Sequence, residues 1–167
     1  PALLLVAGGF IDALSIMKEY ANRRAVFAAA VTPHLTIIAA MLVPTLAIGL
    51  PLGLLVHRRQ RLGRPLFAVL NIIQTVPSIA LFGLLIAPLA ALVAFAPALA
   101  RLGISGIGVT PAIIALTLYS LLPIVRSTAA GLAAVPGAAI EAARGIGMTR
   151  AQIFRDVEVP LALPVLV

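Results

Sequence analysis

The sequence predicts an all-α membrane protein, a bundle of helices that crosses the bilayer several times. Three observations predict this fold class. Hydrophobic residues make up 62% of the 167 residues and charged residues 10%, with a mean hydropathy of +1.18, whereas a soluble domain carries roughly 25% charged residues. Apolar runs of about 20 residues, enough for a helix to cross the hydrocarbon core, recur along the chain. Arginines cluster between these runs, as topology signals do.

Three apolar runs are long enough to span a membrane, at 34–56, 65–92 and 111–130, and a fourth begins at residue 161. Pro77 and Pro88 interrupt the second run. Prolines inside membrane helices are tolerated where neighbouring helices satisfy the freed backbone groups, so they indicate a packed bundle rather than a lone anchor. The alternative is that proline is simply commoner in membrane helices than in soluble ones.

The arginine distribution predicts the orientation of the spans. The segment "HRRQRLGR" between the first two runs carries four arginines and is therefore expected in the cytoplasm. Alternation then places residues 94–110 outside the membrane and the segment after the third run inside. Four further basic residues support that inside assignment: Arg126, Arg144, Arg150 and Arg155.

Residues 1–33 are expected to contain the end of an upstream membrane helix, followed by an external or interfacial stretch; a signal peptide is the alternative, although no basic region precedes the apolar start and no small-residue cleavage site follows it. The basic residues Lys18, Arg23 and Arg24 would lie outside against the arginine rule, unless an upstream helix sets the orientation or "KEYANRR" forms an interfacial helix. The chain begins without an initiator methionine and ends in the apolar "PLALPVLV". These features predict a fragment of a longer chain.

The charged segment 136–160, here called the cassette, predicts two short helices joined at a glycine bend. Pro136 suits the first position of a helix and Gly147 a left-handed helix end. Thr149, with a glutamine three residues later, matches a capping box that starts a second helix, which Pro160 would end. The apolar stripe of this second helix comprises Ile153, Phe154 and Val157. Such a unit either protrudes toward a cytoplasmic partner or lies on the lipid surface.

The cassette resembles the EAA loop, the signature of permease subunits in ATP-binding-cassette importers. The resemblance lies in "EAA" at 141–143, the glycine at 147 and the proline at 160, while Val157 and Val159 replace the usual Ile and Leu with residues of similar character. In such permeases this loop forms a coupling helix that docks on a cytoplasmic ATPase subunit. The resemblance therefore implies that the chain from 34 to 167 is a permease transmembrane domain. It implies coupling roles for Glu141, Ala142, Ala143, Gly147, Thr149 and Pro160.

Two further stretches, "NIIQTVPSIALFGLL" and "GIGVTPAIIALTLYSLLPIVRST", resemble the osmoprotectant subfamily, whose members import glycine betaine, choline or carnitine. The resemblance implies an inner-membrane (cytoplasmic-membrane) permease that pairs with a second copy or a paralogue, two ATPase subunits and an extracytoplasmic substrate-binding protein docking near 94–110. A permease for amino acids is an alternative within the class, because related permeases share the EAA loop. A non-transport membrane scaffold is an alternative outside it.

The sequence offers little for catalysis. It contains no cysteine. His34 and His57 lie at opposite ends of one predicted span, about 34 Å apart at the helical rise, so no metal site is expected. A glycine-rich phosphate loop with its lysine is missing, so ATP hydrolysis is expected in another chain, and no cofactor is expected here. The net charge is +7, but the basic residues lie between apolar runs, which argues against nucleic-acid binding. No acidic residue occurs between 21 and 140, which argues against a proton-driven or sodium-driven carrier.

Polar residues within the runs are candidates for lining a translocation path: Asn71, Gln74, Ser78 and Tyr119. A neutral polar route would suit a zwitterionic solute. Their alternative role is hydrogen bonding between helices, worth about 0.6–2 kcal/mol each. Aromatic cages bind quaternary ammonium groups, but this chain has no tryptophan and two tyrosines. Selection of such a solute is therefore expected in the separate binding protein.

Overall fold

The computed structural model describes residues 19–20, 22–101 and 103–166. Most of these residues are helical, and none of them lies in a strand, which confirms the predicted all-α fold. In chain order the elements are α1 (Arg24–Arg58), α2 (Gln60–Thr75), α3 (Ser78–Phe95), α4 (Ala98–Arg101), α5 (Val109–Ala133), α6 (Gly137–Gly145), α7 (Arg150–Ile153), a π-helical segment (Phe154–Glu158) and α8 (Val159–Leu166).

The chain divides into two compact units, residues 1–39 and 40–167. The expectations for residues 1–18, including Lys18, lie outside the described residues. In the first unit Arg23 pairs with Glu19 at 2.5 Å, and the rings of Tyr20 and Phe27 meet edge to face. α1 begins at Arg24, inside the segment for which the sequence predicts an external or interfacial stretch.

Three described helices are long and apolar enough to cross a membrane: α1, α3 and α5. The runs 34–56 and 111–130 fall within α1 and α5, whereas the run 65–92 is two helices rather than one. The break lies at Pro77, which disfavours a helical conformation for the residue before it. Val76 is accordingly extended, with a ψ of 127°. Pro88, by contrast, lies inside α3 without ending it.

Helix α5 lies at the centre of the second unit and contacts α2, α3 and α8. Glycines allow α1 to approach it closely. A methyl group on Gly53 would lie 2.4 Å from Thr128 Cβ, and one on Gly49 would lie 2.7 Å from Ile124 Cγ2. Small residues serve this purpose in membrane bundles, where backbones approach to gain dispersion contacts. The buried cluster at this junction comprises Val56, Leu70, Leu121, Leu122 and Val125.

A second buried cluster joins the cassette to the spans. Leu132 at the end of α5, Val135 before the cassette and Ala162 in α8 form its core. Ile140 of α6 and Phe154 of the π segment pack against that core. Because both halves of the cassette contribute side chains, its orientation is fixed relative to α5 and α8.

Candidate functional site

The first cassette helix ends in the left-handed turn that the sequence predicts. Gly147 has a φ of 84°. Its N–H donates to the Arg144 carbonyl at 3.0 Å, and the Met148 N–H donates to the Ala143 carbonyl at 3.1 Å. These two bonds form a Schellman motif. The helix starts one residue later than predicted, because Pro136 is extended with a ψ of 129° and therefore precedes the first helical residue.

The second cassette helix begins at the predicted capping box. The Gln152 N–H donates to Thr149 Oγ1 at 3.4 Å, and the Thr149 N–H donates to Gln152 Oε1 at 2.8 Å. This reciprocal pair satisfies backbone donors that a helix start would otherwise leave free. The capping box is therefore confirmed, and it fixes where the chain turns after the Gly147 bend.

The prediction that Pro160 ends the second helix is wrong. The chain stays helical through Leu166, by way of the π segment that immediately precedes α8. The Val159 N–H donates to the Phe154 carbonyl, five residues back. A proline inside an α-helix lacks a donor and clashes with the carbonyl four residues earlier. The wider π turn directly before Pro160 relieves that conflict, so the cassette passes into α8 without a break.

The two faces of α6 differ in exposure. Glu141 and Ala142 are exposed, in keeping with a role as contact residues. Ala143 is 5% exposed and lies on the inward face, so it packs α6 against its own chain, and its coupling role stays a prediction. Ile146, which the sequence reasoning missed, is 80% exposed at the bend. The sequence feature that could have indicated this exposure is an isoleucine between two glycines in a charged segment.

The second half of the cassette separates apolar from charged side chains. Ile153 is buried and Phe154 and Val157 are half-buried, which confirms the predicted stripe. Arg155 Nε donates to Asp156 Oδ1 at 2.7 Å, and Nη2 to Oδ2 at 3.2 Å. These hydrogen bonds hold the pKa of the Asp156 carboxyl below its ordinary value and raise the pKa of Arg155. Both groups therefore remain charged at neutral pH.

Three of the four path candidates form a polar seam between α2 and α5. Gln74 Nε2 donates to the Tyr119 carbonyl at 2.9 Å, and the Tyr119 hydroxyl donates to the Val76 carbonyl. Asn71 Oδ1 accepts a hydrogen bond from the α5 side of the seam. Ser78, the first residue of α3, is exposed, and its side chain makes no hydrogen bond within the described part of the chain. The bonds of Gln74 and Tyr119 favour the alternative of helix–helix hydrogen bonding.

Arg126 is a further member of this seam. From the sequence it was predicted only as one of the basic residues that mark the cytoplasmic side. It lies within α5 rather than after it. Its Nη2 donates to Asn71 Oδ1 at 3.3 Å, and its Cζ lies 5.8 Å from the centre of the Phe67 ring. Cation–π attraction and the hydrogen bond offset part of the cost of a charge inside a span. No group of three or more potential metal ligands occurs among the described residues.

Comparison with known proteins identifies a family. Residues 45–167 match the family model described as "Binding-protein-dependent transport system inner membrane component". The osmoprotectant import permease protein OsmW of Salmonella typhimurium is 46% identical over 133 residues, which are 80% of this chain and 57% of that protein. The glycine betaine/carnitine/choline transport system permease protein OpuCD of Bacillus subtilis is 39% identical over 119 residues, 71% of this chain and 45% of that protein.

A solved structure shows the same architecture. The inward-facing MetNI methionine ABC transporter matches with a TM-score of 0.59 and 30% sequence identity, over 78% of this chain and 61% of the matched chain. The predicted bundle of the importer-permease type is thereby confirmed. This chain spans about half the length of the curated relatives that it matches. On these observations, it belongs to the family of inner membrane components of binding-protein-dependent transport systems.

Proposed function

We propose that this chain is part of the permease subunit of an ATP-driven importer for osmoprotectants of the glycine betaine, choline and carnitine class. The cassette is the single observation that carries the proposal: two helices meet at a Schellman bend, and Glu141, Ala142 and Ile146 are exposed on their outer side. The names of the relatives, which specify osmoprotectant import and glycine betaine, carnitine and choline transport, supply the solute class.

The proposed mechanism follows from the continuity of the cassette with the spans. A partner that pushes on the outer face of α6 also moves the π segment, because α6 contacts it. The π segment runs directly into α8, which packs along α5. Interfaces of this kind switch between discrete packings rather than deforming continuously. Displacement of the cassette would therefore tilt α8 and α5 together, opening one side of the membrane and closing the other.

ATP hydrolysis and the first binding of the solute are assigned to other chains. ATP hydrolysis belongs to cytoplasmic ATPase subunits, and this chain acts as permease rather than enzyme. An extracytoplasmic binding protein would deliver the solute to the outer surface near 94–110, where α4 lies. A second permease copy or a paralogue would complete the path. Of the four path candidates, the proposal rests on Asn71 and Ser78, because Gln74 and Tyr119 donate hydrogen bonds to backbone carbonyls of neighbouring segments.

Cross-linking tests the docking of the cassette. The full-length permease, with a single cysteine at Ala142→Cys, is co-expressed with its ATPase and treated with a short bis-maleimide. Ala98→Cys is the matched control, because Ala98 is also an exposed helical alanine and lies in α4, at the end of the spans assigned to the outside. We expect an ATPase adduct from the first variant and none from the second. Absence of an adduct at Glu141, Ala142 and Ile146 would instead favour a scaffold whose cassette lies on lipid.

The likeness to the methionine transporter MetNI favours one second candidate, an amino-acid importer. Uptake of labelled glycine betaine by the full-length permease, reconstituted with its ATPase and binding protein, separates the two. Uptake that unlabelled choline or carnitine blocks and methionine does not block supports the osmoprotectant proposal. ATP-driven uptake of methionine without betaine uptake would retain the importer and replace its solute.

A further inference from the structure

An apolar groove of about 510 Å³ lies between α1, α5 and α8. Its walls are almost entirely hydrocarbon, with Ser127 and Thr128 as the polar exceptions. The principal lining side chains are Leu50, Leu54, Ile124, Leu132, Phe154 and Leu163. A groove of this composition accepts an apolar ligand. Phe154 lines its end nearest the cassette.

A second cavity of about 630 Å³ lies beside the cassette and has the opposite character. Three arginines and one glutamate among its lining residues leave a net charge of +2 with the histidine neutral. No ion pair joins these groups among the described residues, where the ion pairs are Arg23–Glu19 and Arg155–Asp156. The charged lining groups are Arg58, Arg144, Arg150 and Glu158, and His57 lies beside them. This cavity therefore has an excess of positive charge that its own walls do not neutralise.

The two cavities adjoin at one contact. Arg58, which lines the basic cavity, has its Cζ 5.3 Å from the centre of the Phe154 ring, which lines the apolar groove. Ile153, the neighbour of Phe154, lines the basic cavity. A ligand that extended past this contact would place an anionic group among the arginines and a hydrocarbon chain against the leucines. A transmembrane protein helix also fills an apolar groove, but a phospholipid carries the hydrocarbon chain and the anion in one molecule.

We propose that the adjoining cavities form a binding site for an anionic phospholipid. The headgroup phosphate would bind Arg58, Arg144 and Arg150, and one acyl chain would occupy the groove. The arginine pattern places this end of α1 at the cytoplasmic face, where basic pockets between membrane helices bind anionic headgroups. Because Arg58 belongs to α1 and the other two arginines to the cassette, the lipid would hold the cassette against α1. The site does not depend on which solute is carried.

Lipid binding to the full-length permease, assembled with its ATPase, tests the headgroup end. Native mass spectrometry would follow retention of phosphatidylglycerol and of phosphatidylcholine with the same acyl chains. We expect preferential retention of phosphatidylglycerol, reduced about tenfold or more in the double variant R58Q/R150Q, since each arginine near an anionic lipid contributes substantially. R58K/R150K should keep the preference, because it keeps the charge. The matched control is R61Q/R64Q, which removes two arginines of the adjacent first turns of α2 that do not line the basic cavity.

The outcomes that overturn the headgroup assignment are distinct. Equal retention of the two lipids by the wild type, or equal loss in R61Q/R64Q and R58Q/R150Q, would show a non-specific charged surface. Displacement of phosphatidylglycerol by soluble glycerol phosphate at the same concentration would show a site for a free phosphate anion and not for a lipid.

Fluorescence tests the groove. Ser127 lines it and is half-buried, so Ser127→Cys in an otherwise cysteine-free full-length permease places a fluorophore at its wall. Phosphatidylglycerol with a spin label on its acyl chain should quench this fluorophore, and R58Q/R150Q should reduce the quenching. No quenching, together with a cross-link from the same cysteine to another segment of the permease or to a second copy, would assign the groove to a protein helix and overturn the proposal.

Discussion

Replacement of Gly147 by alanine isolates the contribution of the cassette bend. Gly147 has a φ of 84°, and a methyl group built on it has no atom within 4 Å. The substitution therefore introduces no collision, and its cost is that of a left-handed conformation alone. For an alanine that cost is roughly 1–2 kcal/mol, which corresponds to a factor of about 5–30 in a conformational equilibrium.

Amide hydrogen exchange in the full-length permease measures this loss. The Met148 N–H donates to the Ala143 carbonyl and closes the Schellman motif, so its exchange reports opening of the bend. In Gly147→Ala we expect exchange at Met148 to rise about 5–30-fold. Exchange at Met148 should rise less in Gly147→Asn, because asparagine tolerates the left-handed conformation better than alanine does.

Gly145→Ala is the matched control. Gly145 is an exposed glycine at the end of the same helix, with no atom within 4 Å of an added methyl group and no positive φ. An alanine within a helix is more favourable than a glycine by about 0.5–1 kcal/mol, so exchange at Met148 should stay equal or fall. Wild-type exchange in Gly147→Ala, or faster exchange in Gly145→Ala, would refute the assignment of the bend to Gly147.

Three further substitutions test the capping box, the helix packing and the polar seam. Thr149→Ala should destabilise the start of the second cassette helix by about 1 kcal/mol, measured as faster hydrogen exchange of the Gln152 amide. Thr149→Ser keeps the capping hydroxyl and is the control. Unchanged exchange in Thr149→Ala would contradict the capping role. Gly53→Ala forces a methyl group to within 2.4 Å of Thr128 Cβ. It should lower the free energy of unfolding of the detergent-solubilised full-length permease by about 1–3 kcal/mol. Gly83→Ala is the control and should not lower it, because the space around Gly83 is open. Gln74→Leu should cost about 0.6–2 kcal/mol in the same assay and leave the KM for solute uptake unchanged; an altered KM would return Gln74 to the translocation path.

Local sequence patterns predicted the elements that depend on local chemistry. The capping box at Thr149 needs only two side chains three positions apart, and Gly147 needs only a residue without a Cβ at the helix end. Both are confirmed in the structure. The fold class followed from composition, because a chain so poor in charge cannot cover itself with a polar surface.

Features that depend on packing were not readable from the same patterns. Proline was expected to stop the helix at 160, yet the π segment lets the chain continue into α8. Pro77 breaks the second apolar run while Pro88 does not, and hydropathy alone does not distinguish them. Burial of Ala143 and exposure of Ile146 follow from how α6 lies on the rest of the cassette. These differences arise because the neighbouring helices determine which breaks and faces are tolerated.

We propose that the outer face of the cassette binds the ATPase, and the exposed side chain of Ile146 gives the sharpest test of this contact. Burial of this side chain, 80% exposed in the structure, would contribute about 1.5–3 kcal/mol, or roughly tenfold or more in affinity. The measurement is the affinity of the full-length permease for its ATPase in detergent, comparing Ile146→Ser with Ile107→Ser, a residue 76% exposed in the segment assigned to the outside. We expect weaker binding by about tenfold or more for the first variant and wild-type binding for the second. Wild-type affinity in Ile146→Ser would show that the ATPase does not bind this face of the cassette.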